Sequence, residues 1–392
     1  MGKMLADMDL LVLAPGYPDR AGSLNRGVFI KDQVAELRQH FRKIIVIAPL
    51  FRSFWVLQED RLCKDYMYDN VEVYYPRSSL PNIWLYKTLI DNRIRVVERT
   101  IRKHNLHFDL IHAHFTWPSG YIGVRLKEVY GKPVIITLHE NGDWFDQEVR
   151  MDHPLINTAW SGADALVRVN KKDALILKQY NKQVYFIPNG FSSAFRPIET
   201  IIARERLGLP GNAKVIFTLG NLIKRKGFNY LIDAMERVCS QRDDVFCFIG
   251  GTGPGAEALQ GQIDRLNLSE KVKLLGPVPG DTLPIWMNAC DLFVLPSLSE
   301  SFGIVQIEAL ACGKPVVSAR NRGSEEVITS DEHGLLAEPA DPESLAKKIL
   351  IALNREWDRE AILEYVEQFT WDVIIKEIMN IYRVLVLQDE AV

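Results

Sequence analysis

The chain has 392 residues, 47% of them hydrophobic and 25% charged, with a formal net charge of −3 at pH 7. That length is more than one hydrophobic core supports, so two domains are expected, and the composition excludes a fibrous or disordered chain. The near-balanced charge excludes a protein built as a whole to bind nucleic acid, and leaves only local basic patches.

The first apolar run, "DLLVLAP" from Asp9, is too short and too interrupted for a leader peptide or a membrane span, and reads as a buried first strand. No other run reaches the ~20 apolar residues of a spanning helix. Further strands are expected at "KIIVIAP", "VEVYY", "DLIHAH", "KPVIITLH", "ALVRVN" and "VYFIPNG". Gly, Ser and Pro then cluster in "GFSSAFRPIETIIARERLGLPGNAK", after which the rhythm restarts with "KVIFTLG", "VFCFIGG", "VKLLG", "DLFVLP" and "KPVVSA". Continuous apolar strands alternating with helical patterns predict parallel sheets covered on both faces. The expected fold class is α/β, with two Rossmann-like doubly wound domains at 1–195 and 196–370 facing across a cleft. A C-terminal helix over 371–392 is expected to pack back across the seam. Ligands of open α/β sheets bind beyond the carboxyl ends of the strands, so the candidates are the residues that follow strands.

The cysteines, Cys63, Cys239, Cys247, Cys290 and Cys312, are scattered, odd in number and never in a C-x-x-C pair. That argues for a reducing, cytoplasmic compartment and against disulfide or zinc scaffolding. Cys247 and Cys290 sit in or beside apolar runs and read as small buried hydrophobes.

In the first half, "APGYPDRAGSLNRGVFIKDQV" joins the first strand to its helix. Gly22 and Gly27 allow close approach of a phosphate or an acceptor, and Arg26 and Lys31 are acceptor-side cations; a solvated loop is the equal alternative for each. His112 and His114 share one strand face, but no Cys or carboxylate partner is apparent, so structural or acceptor-edge roles outweigh a metal. Ile90, Ile94, Val97 and Ile101 form the core stripe of a helix flanked by Arg95, Arg99 and Arg102. With Phe51, Phe54 and Trp55 nearby, that basic and aromatic surface suits docking on an anionic membrane, or is simply a solvated face.

In the second half, "LGNLIKRKGFNYLIDA" ends a strand at Gly220 and opens a helix at Lys226-Gly227, placing Lys224, Arg225 and Lys226 in the loop. Cations between a strand end and a helix N-terminus suit a diphosphate; a solvated basic turn is the alternative. "VFCFIGGTGPG" puts Gly250, Gly251, Gly253 and Gly255 after a strand, where backbone can approach a nucleotide. In "SLSESFGIVQIEALACGKPVVSA", Glu300 precedes a helix expected over 303–312, with Ser299 or Ser301 as N-cap and Gly313 as its stop. The N–H groups of Phe302 and Gly303 are expected at an anion site, and Glu308 is expected inside the helix, where a vicinal diol would satisfy both its oxygens.

Glu300 and Glu308, with seven residues between them and Phe302-Gly303 after the first, resemble the signature of family 4 retaining glycosyltransferases of the GT-B fold. "GVFIKDQVAEL", "DLIHAHF", "ITLHENGD", "VYFIPNGF", "FTLGNLIKRKGFNYLIDA", "FIGGTGPG" and "EALACGKPVVSARNRGSEEVI" fall in family order across nearly the whole chain. The resemblance implies transfer of a hexose, with retention, from a UDP-, GDP- or other nucleotide-diphosphate sugar to a glycan, lipid-linked or small-molecule acceptor. No cofactor and no divalent metal are implied, and the charge balance gives no expectation of a nucleic acid partner. Glu300, Lys226 and His139 are implied as catalytic. Gly220, Asn221, Lys224, Arg225, Gly251, Gly253, Val278, Phe302, Gly303 and Glu308 are implied on the donor side. Gly22, Arg26, Gly27 and Asp143 are implied toward the acceptor. At Asn221 the family pattern has an arginine, so Lys224 or Arg225 supplies that charge or Asn221 only hydrogen-bonds. A GT-B epimerase or phosphorylase, and a non-catalytic nucleotide-sugar-binding protein, are the alternatives.

Overall fold

The structure is a computed structural model that describes residues 4–22, 26–51, 62–78 and 86–389. Phe54 and Trp55, named above for a membrane surface, lie outside the described residues, as does the Phe51 side chain. Two compact units emerge: Met1–Gly190 with Trp371–Val392, and Phe191–Thr370.

The first unit contains β1 (Asp9–Leu13), β2 (Lys43–Ile47), β3 (Leu50–Phe51), β4 (Tyr66–Tyr68), β5 (Val71–Tyr74), β6 (Arg77–Ser78), β7 (Leu110–His114), β8 (Val134–Leu138), β9 (Ala165–Arg168) and β10 (Val184–Phe186). Eight of these form a sheet in the order β10-β9-β8-β7-β1-β2-β5-β4, and β3 pairs with β6 separately. β1, β7 and β8 are buried along their whole length, which is why they read as unbroken apolar runs. Alternate residues of β1 enter opposite layers: Leu10 and Val12 join the core beneath the Val28–Leu37 and Trp371–Asp389 helices, and Leu11 and Leu13 join the core beneath Tyr86–Lys103 and Tyr121–Tyr130. The terminal helix thus belongs to the core of the first unit, through Trp371, Ile375, Ile378 and Tyr382.

One edge corrects the all-parallel expectation. β4 runs antiparallel to β5, because the turn at Asp69-Asn70, with Asp69 at φ 47°, is a two-residue hairpin connection. Only antiparallel strands can be joined so tightly.

The second unit contains β11 (Lys214–Leu219), β12 (Val245–Gly250), β13 (Val272–Gly276), β14 (Leu292–Leu295), β15 (Val316–Ala319) and β16 (Gly334–Ala337), in the order β13-β12-β11-β14-β15-β16 with every pairing parallel. β16, "GLLA", escaped the sequence reading because four residues opening on glycine carry too little pattern. The segment after Gly190 is fastened to this unit by fully buried Asn288, whose Oδ1 accepts from Ile198 N at 2.7 Å and whose Nδ2 donates to the Arg196 carbonyl at 3.0 Å.

In both sheets the strand order reverses beside the first strand of the unit: between β1 and β7, and between β11 and β14. Loops leaving the carboxyl ends of those neighbours diverge to opposite faces and open a crevice.

Candidate functional site

In the second unit, the β11 and β14 loops bring together most of the donor-side candidates. β11 ends at Leu219, and the chain passes Gly220 and exposed Asn221 into a single 3₁₀ turn at Lys224–Lys226. Gly227 follows at φ 67°, and an added Cβ there would stand 2.1 Å from the Pro296 carbonyl oxygen, so the turn rests directly on the backbone after β14. The Arg225 carbonyl accepts from Leu298 N at 2.8 Å, and the Arg225 guanidinium donates to the Ser299 carbonyl.

These contacts deliver Lys226 Nζ to Glu300 Oε1 at 2.5 Å, with Arg225 Nη1 at 3.6 Å from Glu300 Oε2. Burial pushes the Glu300 carboxyl up, but the charges of Lys226 and Arg225 outweigh it and hold the group below the ordinary carboxylate value. Two cations therefore face one carboxylate, leaving net positive charge at the strand ends. Arg225 stands beside Lys226, whereas Lys224 and Asn221 are exposed.

The helix after Glu300 spans Ile304–Ala311, one residue shorter at each end than expected. Its N-cap corrects the serine assignment: Gly303 caps it at φ 87° with no side-chain hydrogen bond. Gly313, at φ 70°, follows its end as expected. Phe302 is fully buried against Phe369, ring centroids 5.6 Å apart, and so fixes the turn that carries Glu300. Glu308 lies inside this helix as expected; the residue is half-buried, with its Oε2 atom buried. Val278 is half-buried, and its Cγ2 would lie 2.7 Å from a Cβ on Gly250.

The glycine turn after β12 serves the fold first. A Cβ on Gly251 would meet the Gly220 oxygen at 1.9 Å, and one on Gly253 would meet the Leu222 oxygen at 2.6 Å. These glycines let the β12 turn press on the Asn221–Ile223 loop.

In the first unit, the β1, β7 and β8 loops assemble a second group. Gly27, at φ 66°, caps the Val28–Leu37 helix, and Phe29 of that helix lies against His139, centroids 4.7 Å apart. Phe115 approaches the same ring at 5.2 Å. His114 Nδ1 lies 3.0 Å from His139 Nε2. Gly22 and Arg26 are exposed on the loop leading to Gly27, and Asp143 is exposed in the first turn of the Gly142–Met151 helix. Burial holds His112, His114 and His139 below the ordinary imidazole value, His112 down to about 3, so all are neutral near pH 7.

Four residues here escaped the sequence reading. Fully buried Arg168 donates to the Leu138 carbonyl at 2.9 Å and the Glu140 carbonyl at 2.6 Å, gripping the backbone on either side of His139. Asp173 neutralises it from Oδ2, 3.0 Å from Arg168 Nε. Glu140 and Glu148 are buried carboxyls raised by burial, and Glu148, with Glu140 adding to the effect, is pushed up to about 9. An arginine inside the apolar run "ALVRVN" was the available signal.

Among the described residues, no cluster of His, Cys, Asp or Glu is disposed to hold a metal ion. The closely spaced acids Asp7 and Asp9 lie at the amino end of β1, where Asp9 takes the Arg42 guanidinium at 2.8 Å. No described helix is long and apolar enough to cross a membrane.

Comparison with known proteins agrees with this architecture. Residues 8–195 match the model of Glycosyltransferase Family 4 and residues 199–369 that of Glycosyl transferases group 1. An uncharacterized glycosyltransferase of Methanocaldococcus jannaschii is 30% identical over 283 residues, covering 71% of this chain and 76% of that protein. Sucrose-phosphate synthase from Thermosynechococcus elongatus superposes with a TM-score of 0.80 at 22% identity, covering 96% of this chain and 99% of that one. Anabaena HepE in complex with UDP and glucose gives 0.73 at 22% identity, covering 96% and 99%. The fold and the paired crevices define a GT-B glycosyltransferase. The chain belongs to glycosyltransferase family 4, and is an enzyme that transfers a sugar from a nucleotide-sugar donor.

Proposed function

We propose that the protein transfers a hexose, with retention of anomeric configuration and without a divalent metal, from a nucleoside-diphosphate sugar to an acceptor hydroxyl. The observation that carries this is the Lys226–Glu300–Arg225 cluster at the β11/β14 strand-order reversal. A diphosphate competes with Glu300 for Lys226 and Arg225, and the first N–H groups of the Ile304–Ala311 helix add partial positive charge. As the glycosidic bond breaks, negative charge grows on the β-phosphate, and preorganised cations stabilise that charge more than the ground state. Glu300, released from Lys226, accepts hydrogen bonds from hydroxyls of the transferred sugar. Glu308 holds the ribose diol.

Lys226 and Arg225 supply the positive charge that a metal supplies elsewhere, with Arg225 in the part of the arginine missing at Asn221. His139 contacts the transferred sugar, and Gly22, Arg26, Gly27 and Asp143 line the acceptor's approach. The leaving phosphate takes the acceptor's proton in a front-face substitution, so no separate base is required. UDP as the nucleotide is supported by the UDP complex of Anabaena HepE. The acceptor is a glycan, lipid-linked or small-molecule hydroxyl, met at the inner membrane surface where it is lipid-linked. The hollow lined by Arg95, Glu98, Arg99, Arg102 and Lys103, in which Glu98 pairs with Arg102 but basic side chains prevail, supports docking on an anionic membrane surface.

Incubation of the purified protein with UDP- and GDP-hexoses and a panel of acceptors, read by NMR of the anomeric proton, tests this. An α-linked product from an α-linked donor, formed equally with and without EDTA, is expected. An inverted product, or free rearranged sugar formed without acceptor, contradicts it.

A further inference from the structure

We propose that His114 is a positioning residue that fixes the orientation and tautomer of the His139 ring. This inference rests on the reading above that His139 contacts the transferred sugar. His139 is buried, its ring enclosed by Phe29 and Phe115, and its Nε2 lies 3.0 Å from His114 Nδ1. Its other nitrogen, Nδ1, is buried and has no hydrogen-bond partner among the described residues. Phe29 and Phe115 offer only ring contacts, so His114 is the polar contact given to the imidazole, and Nδ1 is left for a ligand.

A neutral imidazole has one N–H and one lone pair. If His114 Nδ1 donates, His139 Nε2 accepts and its proton sits on Nδ1. If His114 accepts, His139 Nδ1 presents a lone pair. Either way, what the sugar meets at Nδ1 is set by His114.

His114 is itself fixed. Its ring stacks on His112, centroids 4.4 Å apart at 26°. Both nitrogens of His112 are occupied, Nδ1 by the Tyr382 hydroxyl at 2.6 Å and Nε2 by Thr137 Oγ1 at 2.8 Å. A chain of contacts therefore runs from Tyr382 on the terminal helix through His112 and His114 to the sugar-facing ring. The pair His112-x-His114 was read above as structural or acceptor-edge; this geometry gives its second member a specific task.

The test compares the full-length variants His114→Leu, His114→Asn and His114→Gln with wild type and His139→Ala. The amide of Asn stands near where Nδ1 stood, whereas that of Gln reaches toward Nε2. His114→Leu is expected to lower transfer kcat by about tenfold with donor KM changed by less than about twofold, and His114→Asn to recover most of the loss. Nitrogen-15 NMR of the His139 ring is expected to show one tautomer in wild type and a mixture in His114→Leu. Wild-type kcat in His114→Leu, or Asn as slow as Leu, overturns the proposal. Should His114→Leu fail to fold, Asn faster than Gln supports it and equal rates overturn it. Wild-type turnover in His139→Ala overturns the reading of His139 itself. A slow His139→Ala with wild-type His114 variants overturns only the positioning role.

Discussion

At the scale of single residues, the account rests on charges held close to their partners. Lys226 pairs with Glu300 in the free protein, and in the proposed function it is needed again for the phosphate when donor binds. Lys226→Ala is therefore expected to weaken UDP binding by about 10–100-fold, the range of a charge-assisted hydrogen bond, and to lower Tm by stranding a buried carboxylate. The double variant Lys226→Ala/Glu300→Gln restores Tm but not UDP affinity. Calorimetric titration and thermal unfolding separate the two effects, and recovery of UDP affinity in the double variant would contradict the assignment. Glu148 gives a pH signature. Unfolded, it loses its proton near the ordinary carboxylate value, about 4.3; folded, it keeps it to about 9. The folded state then binds more protons than the unfolded one, so stability falls as pH rises through that window. Glu148→Gln, a neutral isostere, lacks that slope. Its Tm is expected to gain on wild type between about pH 5 and pH 8. Parallel Tm–pH curves would remove the argument.

At the scale of elements, the positions of glycines decide how closely the loops approach. Gly208 and Gly227 have nearly the same φ, 66° and 67°, but nothing lies within 4 Å of a Cβ on Gly208, whereas one on Gly227 would stand 2.1 Å from the Pro296 oxygen. Gly208→Ala is expected to cost about 1 kcal/mol, from backbone strain alone. Gly227→Ala is expected to cost more than about 3 kcal/mol and to reduce UDP affinity with it, because the loop bearing Lys226 must move. Equal Tm losses in the two variants would show that the close approach does not matter. The strands that build these crevices were legible as apolar runs because they are buried on both faces. β4 was not, since an edge hairpin strand carries no such run, and neither was four-residue β16. The placement of Lys226, Glu300 and His139 just beyond strand ends was legible because strand-end loops are short and the residues within them few. The exchange of a serine cap for Gly303 was not, because N-cap choice depends on the φ that the Phe302 anchor imposes. Arg168 was missed because a charge within a buried strand makes sense only once the carbonyls around His139 are in place.

At the scale of the whole molecule, the chain repeats one solution. Each unit is a twisted sheet whose strand order reverses beside its first strand, and each gathers its unusual residues at that reversal. The proposed function divides the chemistry between them. Variants of the first-unit group, such as His139→Ala, are expected to lower kcat with UDP affinity unchanged; variants at Lys226 or Arg225 are expected to lower UDP affinity. EDTA is expected to leave turnover unchanged, since in the proposed function Lys226 and Arg225 carry the charge. The most direct measurement is a crystal structure of the protein with UDP bound. The account predicts the diphosphate within hydrogen-bond reach of Lys226 Nζ, the Lys226–Glu300 contact opened, and the ribose hydroxyls on Glu308. A nucleotide bound instead at the carboxyl end of β1, or in the second unit with its phosphates away from Lys226, would contradict it.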